Sequence, residues 1–282
     1  MISIIICSRY SDIPTKMRQN IAETIGCDHE LLVVDNSRNK YSIFQAYNEG
    51  VRRSKGDILC FVHEDVLFRS MDWGRVIAAH FWDDEKVGLI GFAGAHFFPD
   101  IPMYWDRSPM VSEYNLTTRG SKTERCFSVE HFGNETMVEV VAVDGLCFFM
   151  RRDLFDRVAF DENTFRGFHM YDLDISMQVR ETGYKVCVCD DVLVEHFYEF
   201  NPSKAGFELF EANLQKFFDK WSSYFPLTVG LQGVTDGITQ QLNRYVRRSI
   251  QLEKTHENTL QSKAYRLGKA VLHPLRLLKG HK

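Results

Sequence analysis

Gly56-Asp57-Ile58-Leu59-Cys60-Phe61-Val62-His63-Glu64-Asp65-Val66 is the stretch whose reading decides the fold. An apolar run of strand length breaks off there into metal- and proton-binding side chains, at the kind of strand end where an open α/β sheet binds its ligand. Two upstream runs stop in the same way. Ser3-Ile4-Ile5-Ile6-Cys7 gives way to Ser8-Arg9, and Glu30-Leu31-Leu32-Val33-Val34 to Asp35-Asn36-Ser37. Three strand ends are therefore expected to converge on one crevice.

Outward from that stretch, strands alternate with helices. Asp12-Ile13-Pro14 opens a helix that Gly26 closes, and Ser42 to Ser54 sets Phe44, Tyr47 and Val51 at helical spacing. A third strand spans Asp57 to Val62, a helix Asp72 to Trp82, and a fourth strand Val87 to Ile90. Such alternation builds a mostly parallel sheet flanked by helices. From Gly91 to Glu135 the periodicity dissolves among Gly, Pro, aromatic and charged residues, so 91–136 reads as a loop-rich functional insertion. Regularity returns as strands at Val138 to Val143 and Cys147 to Arg151, then a helix from about Leu173 to Thr182 closed by Gly183. Lys185 to Cys189 and Val192 to Glu195 read as the last strands, and Ala205 to Tyr224 as a Phe-rich helix. Residues 1–225 are expected to form one α/β domain and 226–282 a basic helical extension.

A chain of 282 residues, 44% hydrophobic and 26% charged, is long enough for one large domain and an appendage. The net charge of −4 hides an asymmetry: Arg244 to Lys282 carries ten Lys and Arg against Glu253 and Glu257. An acidic body thus bears a basic tail, which suits either an anionic lipid surface or packing on the acidic body itself or on a partner subunit, including a second copy of the chain. No apolar stretch approaches the ~20 residues of a bilayer-spanning helix, and Ile2 to Cys7 is too short for a signal-peptide core. A cytoplasmic protein, at most peripheral to the inner face of the membrane, is the expectation, with no nucleic-acid partner. The seven cysteines are an odd count and sit mostly in apolar runs, so they read as reduced core thiols. Cys187 and Cys189 point the same way in an alternating strand, and no second pair completes a zinc set.

In extended geometry His63 and Asp65 fall on one side of the backbone and Glu64 on the other. Asp65 is then placed for a divalent cation and His63 for a ribose, a phosphate or the metal; a solvated acidic turn is the plainer alternative. Asp35 can accept from a base N–H or a ribose hydroxyl, or can simply cap its own turn. Tyr171 to Arg180 reads as a helix beginning in acid, where a carboxylate either favours the dipole or serves as general base, and the aromatic, Gly-led stretch Gly167 to Tyr171 leads into it as a pocket edge would. His196, at another strand end, matters only if the fold brings it near Asp65.

Together these segments resemble the GT-A-fold glycosyltransferases of the family-2 type, including the bacterial branch that attaches sugars such as rhamnose to cell-surface glycans. The resemblance covers roughly residues 1–225 and rests on the order of loose motifs. They are Ser8-Arg9, Val33-Val34-Asp35-Asn36-Ser37, Ala46-Tyr47-Asn48-Glu49-Gly50, Gly56 to Asp65, Val143-Asp144-Gly145, Phe148-Phe149-Met150-Arg151-Arg152, Phe160-Asp161-Glu162, Tyr171-Asp172-Leu173-Asp174 and His196. It implies that Asp35 contacts the nucleotide base, that Asp65 binds metal with His63 at the companion position, and that Asp172 is the catalytic base, so that Asp35, Asp65 and Asp172 are expected to line one cavity. His196 becomes a further metal ligand; Ser8, Arg9, Asn48 and Glu64 fall on the nucleotide side, and Asp144, Gly145 and Tyr171 near the sugars. Tyr104 and Trp105 are candidates to stack on a sugar ring. His63 departs from the usual Asp, and Tyr171 replaces the acid that often precedes the base.

The implied reaction is inverting transfer of a hexosyl or deoxyhexosyl group from a nucleotide-diphosphate sugar to a hydroxyl of a glycan or lipid-linked acceptor, with Mn2+ or Mg2+. A nucleotidyltransferase is the competing enzyme class, but Ser8-Arg9-Tyr10-Ser11-Asp12 is not a Gly-rich phosphate loop. A catalytically altered nucleotide-sugar-binding protein is the third reading.

Overall fold

The computed structural model describes residues 1–102, 110–112, 114–116, 124–125, 136–197, 204–230 and 235–262. Tyr104 and Trp105 lie outside the described residues. The chain separates into two compact units, Met1–Gly233 and Val234–Lys282.

The first unit opens with β1 (Ile2–Ser8), α1 (Thr15–Thr24), β2 (His29–Asp35), α2 (Ile43–Arg53), β3 (Ile58–Val62), β4 (Val66–Phe68), α3 (Trp73–Asp83) and β5 (Val87–Gly91). Its main sheet has seven strands in the order Met137–Glu139, Lys185–Cys189, β5, Cys147–Arg151, β3, β1, β2. β1 pairs parallel with β2 and β3, and Lys185–Cys189 parallel with β5. Cys147–Arg151 runs antiparallel between β3 and β5, and Met137–Glu139 is antiparallel at the edge. The register sets Ser8 beside Asp35 and Ile5 beside Phe61, so the polar ends of β1, β2 and β3 come out at one edge of the sheet.

Alternation along the strands sorts the core into two layers. Ile5, Leu59, Phe61 and Phe148 pack with Phe44 and Tyr47 of α2, whereas Ile4, Ile6, Cys60 and Val62 pack with Met17, Ile21 and Trp73. Each such side chain fully withdrawn from water contributes roughly 1.5–3 kcal/mol. α2 is fixed at its start by a capping box, Gln45 N–H donating to Ser42 Oγ at 3.3 Å and Ser42 N–H to Gln45 Oε1 at 3.0 Å. A Cβ at Gly50 would lie 2.2 Å from Ile5 Cγ2, so the close seating of α2 on β1 requires glycine there.

Several elements differ from the sequence expectation. Val138 to Val143 is two strands, Met137–Glu139 in the main sheet and Ala142–Val143 paired with Ala93–Ala95 in a separate sheet. The region 91–136 holds short strands of two or three residues, including Ala93–Ala95, Phe97–Phe98, Met110–Ser112 and Tyr114–Leu116, too short to show a period of two. The strand read at Val192 to Glu195 is Val194–His196, so His196 belongs to it, and it pairs antiparallel with β4, His196 opposite Val66; a further two-residue strand, Leu227–Thr228, pairs with Phe97–Phe98. The late helix, α4, is Tyr171–Glu181, beginning with the acid-led stretch at Tyr171 rather than at Leu173; Met170 before it holds a positive φ of 74°. α5 (Lys204–Trp221) follows, packing Phe217, Phe218 and Trp221 into the core.

The second unit contains α6 (Asp236–Gln261), which exposes Ile238, Tyr245 and Leu252 at intervals of seven residues. Among the described residues no helix is long and apolar enough to cross a membrane.

Candidate active site

β3 ends at Val62, and the turn behind it is pinned by His63 N–H donating to the Leu146 carbonyl at 3.0 Å and Val66 N–H to the His63 carbonyl at 3.3 Å. Pairing of Val194–His196 with β4 then carries His196 across to this turn, with Phe197 N–H donating to the Asp65 carbonyl at 2.9 Å. His63, Asp65 and His196 converge so that one ligand atom from each lies within 4.8 Å of the others, and His196 Nε2 is 3.3 Å from Asp65 Oδ1. Burial pushes the His63 imidazole down to about 3, helped by the proximity of His196 and opposed by Asp65. Burial alone would raise Asp65, but the hydrogen bond from His196 and the charge of both histidines hold it below the usual carboxylate value. His63 and Asp65 are thus held in their metal-binding protonation states, and together with His196 they form a donor set that fits a divalent ion.

Tyr171 links this cluster to a second one. Its hydroxyl lies 2.6 Å from His63 Nε2 and donates to the Gly145 carbonyl at 2.9 Å. A Cβ at Gly145 would sit 2.1 Å from the Tyr171 oxygen, so only glycine permits that approach. The sequence neighbours of these two residues, Asp172 and Asp144, carry the carboxylates. Asp172 stands in the first turn of α4, where its Oδ1 accepts Leu173 N–H at 2.9 Å. Burial, then the negative charge of Asp144, raises Asp172 to about 7. Asp144 Oδ1 accepts Leu146 N–H at 2.8 Å, which tightens the same turn.

A cavity of about 490 Å³ opens beside the first cluster, lined by Arg9, Asn36, Tyr41, His63, Asp65 and His196 among others. Asp35 and Asp172 are not among its described lining residues, so the expected meeting of Asp35, Asp65 and Asp172 in one hollow is observed for Asp65 alone. Asp35 is exposed at the end of β2, accepting Ser37 N–H at 2.9 Å, and it is Asn36 that faces the cavity. Glu64 is spent internally: its carboxylate accepts from Ser8 Oγ at 2.6 Å, Arg9 N–H at 3.1 Å and Arg9 Nε at 2.6 Å. That clamp levels β1 with β3 and fixes the base of the Arg9 side chain. Asn48 is satisfied away from the cavity, donating to the Phe160 carbonyl and the Glu162 carboxylate and accepting Phe160 N–H.

Gly167 to His169, read from the sequence as a pocket edge, do line the cavity, whereas Tyr41 and, on α5, Gly206 and Leu209 were missed as its walls. Tyr41 had a local signal, since Asn36 brackets it with bonds to its N–H and carbonyl at 2.8 and 2.9 Å; the others come from remote elements. A larger hollow, about 1060 Å³, lies at the opposite strand ends beside Met1 and Asp57. Its Arg151 is absorbed by the carbonyls of Val87, Phe81 and Asp84, a structural use.

A mostly parallel sheet with its polar strand ends gathered at one edge is the GT-A architecture. Residues 3–220 match the glycosyltransferase-like family, and the chain belongs to it. Over 157 residues it is 27% identical to the streptomycin biosynthesis protein StrF of Streptomyces griseus. That match takes in 54% of this chain and 52% of StrF, so the chain spans about half the length of this curated relative. In structure it resembles GalNAc-T7 with UDP, GalNAc and Mn2+, at a TM-score of 0.51 and 12% identity over 95% of this chain and 57% of that one. It likewise resembles S. aureus TarS, at a TM-score of 0.51 and 14% identity over 93% and 75% of the respective chains. At such identities the likeness is one of fold.

Proposed function

We propose that the chain is a metal-dependent, inverting glycosyltransferase that moves a hexosyl or deoxyhexosyl group from a nucleotide-diphosphate sugar to an acceptor hydroxyl. One observation carries this reading: a cation-binding triad and a buried carboxylic acid raised to about 7 come together at Tyr171, whose hydroxyl meets His63 and whose chain neighbour is Asp172.

Asp65, His196 and His63 would hold the ion, and a divalent cation bound there supplies charge to neutralise the departing diphosphate. Two imidazoles beside one carboxylate suit Mn2+ better than the strictly oxygen-seeking Mg2+, and Mn2+ accompanies UDP in the GalNAc-T7 structure. Asn36 and Arg9 border the nucleotide end of the cavity, with the exposed Asp35 next in the chain to Asn36, and Ser8 and Glu64 act by holding Arg9. Asp172 takes the proton of the acceptor hydroxyl as that oxygen bonds to the anomeric carbon, whose bond to the diphosphate oxygen breaks. Attack from the face opposite the leaving group inverts the anomeric configuration. Burial, with the charge of Asp144 adding to it, keeps Asp172 close to the working pH, where a general base is most effective.

The family's chemistry and the basic tail suggest a glycan or lipid-linked acceptor of cell-surface polysaccharide synthesis, approached by residues 91–136 with Tyr104 and Trp105 against a sugar ring. Residues 1–225 would be the catalytic domain and 226–282 an arm. In α6, Ile238, Tyr245 and Leu252 lie beside Arg244 and Arg248 on the exposed side, a pattern suited to the anionic inner face of a membrane.

The central test is a thermal-shift and calorimetric screen of nucleotide diphosphates with Mn2+, followed by NMR of the product with the matching sugar donor. Binding that requires Mn2+ and an inverted anomeric centre are expected; a retained configuration would exclude Asp172 as an inverting base. Flotation with anionic liposomes should be lost on deletion of residues 236–282, and loss of dimer mass instead would assign the arm to self-association.

A further inference from the structure

Tyr171 is buried, packed edge-on against Phe44 and Tyr47, and its one polar group meets two partners. The Gly145 carbonyl, 2.9 Å away, can only accept, so it takes the single hydroxyl hydrogen. His63 Nε2, 2.6 Å from the same oxygen, then has to be the donor in the other contact. The reverse arrangement, with Tyr171 donating to a bare Nε2, would leave the Gly145 carbonyl without this donor in a buried turn, which is unfavourable. An imidazole that carries its proton on Nε2 keeps Nδ1 as a free lone pair. That ring stands 5.6 Å, centroid to centroid, from the ring of His196 and is closed in by Phe168 at 5.3 Å.

We propose that Tyr171 is a positioning residue of the cation site: it locks His63 in the Nε2–H tautomer, so that Nδ1 is the atom offered to the ion beside Asp65 and His196. Its use rests on the cation reading above, while the tautomer itself rests only on the Gly145–Tyr171–His63 chain. The inference changes the place of Tyr171, from a residue near the sugars to one that acts through His63. It also gives Gly145 a purpose, since any side chain there would displace the hydroxyl that sets the proton.

The tautomer is read directly from the imidazole 15N shifts of His63 in metal-free protein, with His63→Gln for assignment. Protonation at Nε2 is expected, and protonation at Nδ1 overturns the inference whether or not any metal binds. Mn2+ titration followed by electron paramagnetic resonance supplies the functional arm. Tyr171→Phe keeps the ring and removes only the hydroxyl; it should weaken Mn2+ binding about 10–100-fold, the usual effect of losing a ligand's outer partner. The same variant should show mixed His63 tautomers in the metal-free state. Unchanged Mn2+ affinity in Tyr171→Phe, in a background where Asp65→Ala abolishes binding, overturns the positioning role and leaves the cation reading standing. Wild-type protein that binds no Mn2+ overturns both. If Tyr171→Phe fails to fold, the wild-type 15N measurement still decides the tautomer.

Discussion

The cation cluster of His63, Asp65 and His196 and the carboxyl pair of Asp144 and Asp172 are separated by little more than Tyr171, yet enclosure acts on them with different results. In the cluster, imidazoles and a carboxylate face one another: burial strips the proton from His63, and His196 keeps Asp65 ionised. In the pair, two carboxylates face one another, so burial and like charge push Asp172 the other way, to about 7. Withdrawal from water penalises charge in both places; the neighbour decides which group gives way. One region is thereby prepared to hold a cation and the other to exchange a proton.

The sharpest way to break this contrast is Asp172→Asn. Turnover should fall by ~10²–10⁴, while binding of nucleotide with Mn2+ stays within about twofold by calorimetry. Asp65→Ala should instead lose Mn2+ affinity by more than roughly the 10–100-fold of an outer-partner change, seen in the same titration; equal binding losses in both variants would dissolve the division of labour. Asp144→Asn sharpens the pair. With the neighbouring charge gone, the rising limb of kcat/KM against pH, expected near 7 in wild type, should move to lower pH by on the order of one unit. The smallest effect is on stability. The folded pKa of Asp172 lies above its unfolded value, so its contribution is favourable below about pH 4 and is lost as pH rises through about 7. Asp172→Asn should therefore melt a few degrees higher than wild type at pH 8 and no higher at pH 4. Asp65, held below its unfolded value, should show the opposite trend, its contribution present at neutral pH and lost on acidification.

Much of the frame was legible in short stretches of chain. The runs ending at Ser8, Asp35 and Val62 announced three strands, and they lie side by side in parallel. Gly183, with φ of 84°, closes the late helix as read. The two acids of that helix's first turn show where local reading stops. Asp172 and Asp174 look equivalent in sequence, but Asp174 is 1% exposed and is consumed by Trp221 Nε1 at 2.9 Å, Lys220 Nζ at 2.8 Å and Gln178 Nε2 at 2.7 Å. No periodicity within α4 distinguishes them, because the distinction is made by α5. Asn48 is a similar case, an exposed-looking amide that the Phe160 loop claims.

The amino-acid order by itself determined the strands, the helices and the polar residues at their ends, since hydrophobic period and turn chemistry act over a few residues. Tertiary structure decided which of those ends became a site. His196 reaches Asp65 only because a three-residue strand pairs with β4 across more than a hundred residues of chain. Tyr171 touches His63 only because Gly145 leaves room for its hydroxyl. Proton positions depend on what lies within a few ångströms in space, and that neighbourhood exists only after the sheet has closed.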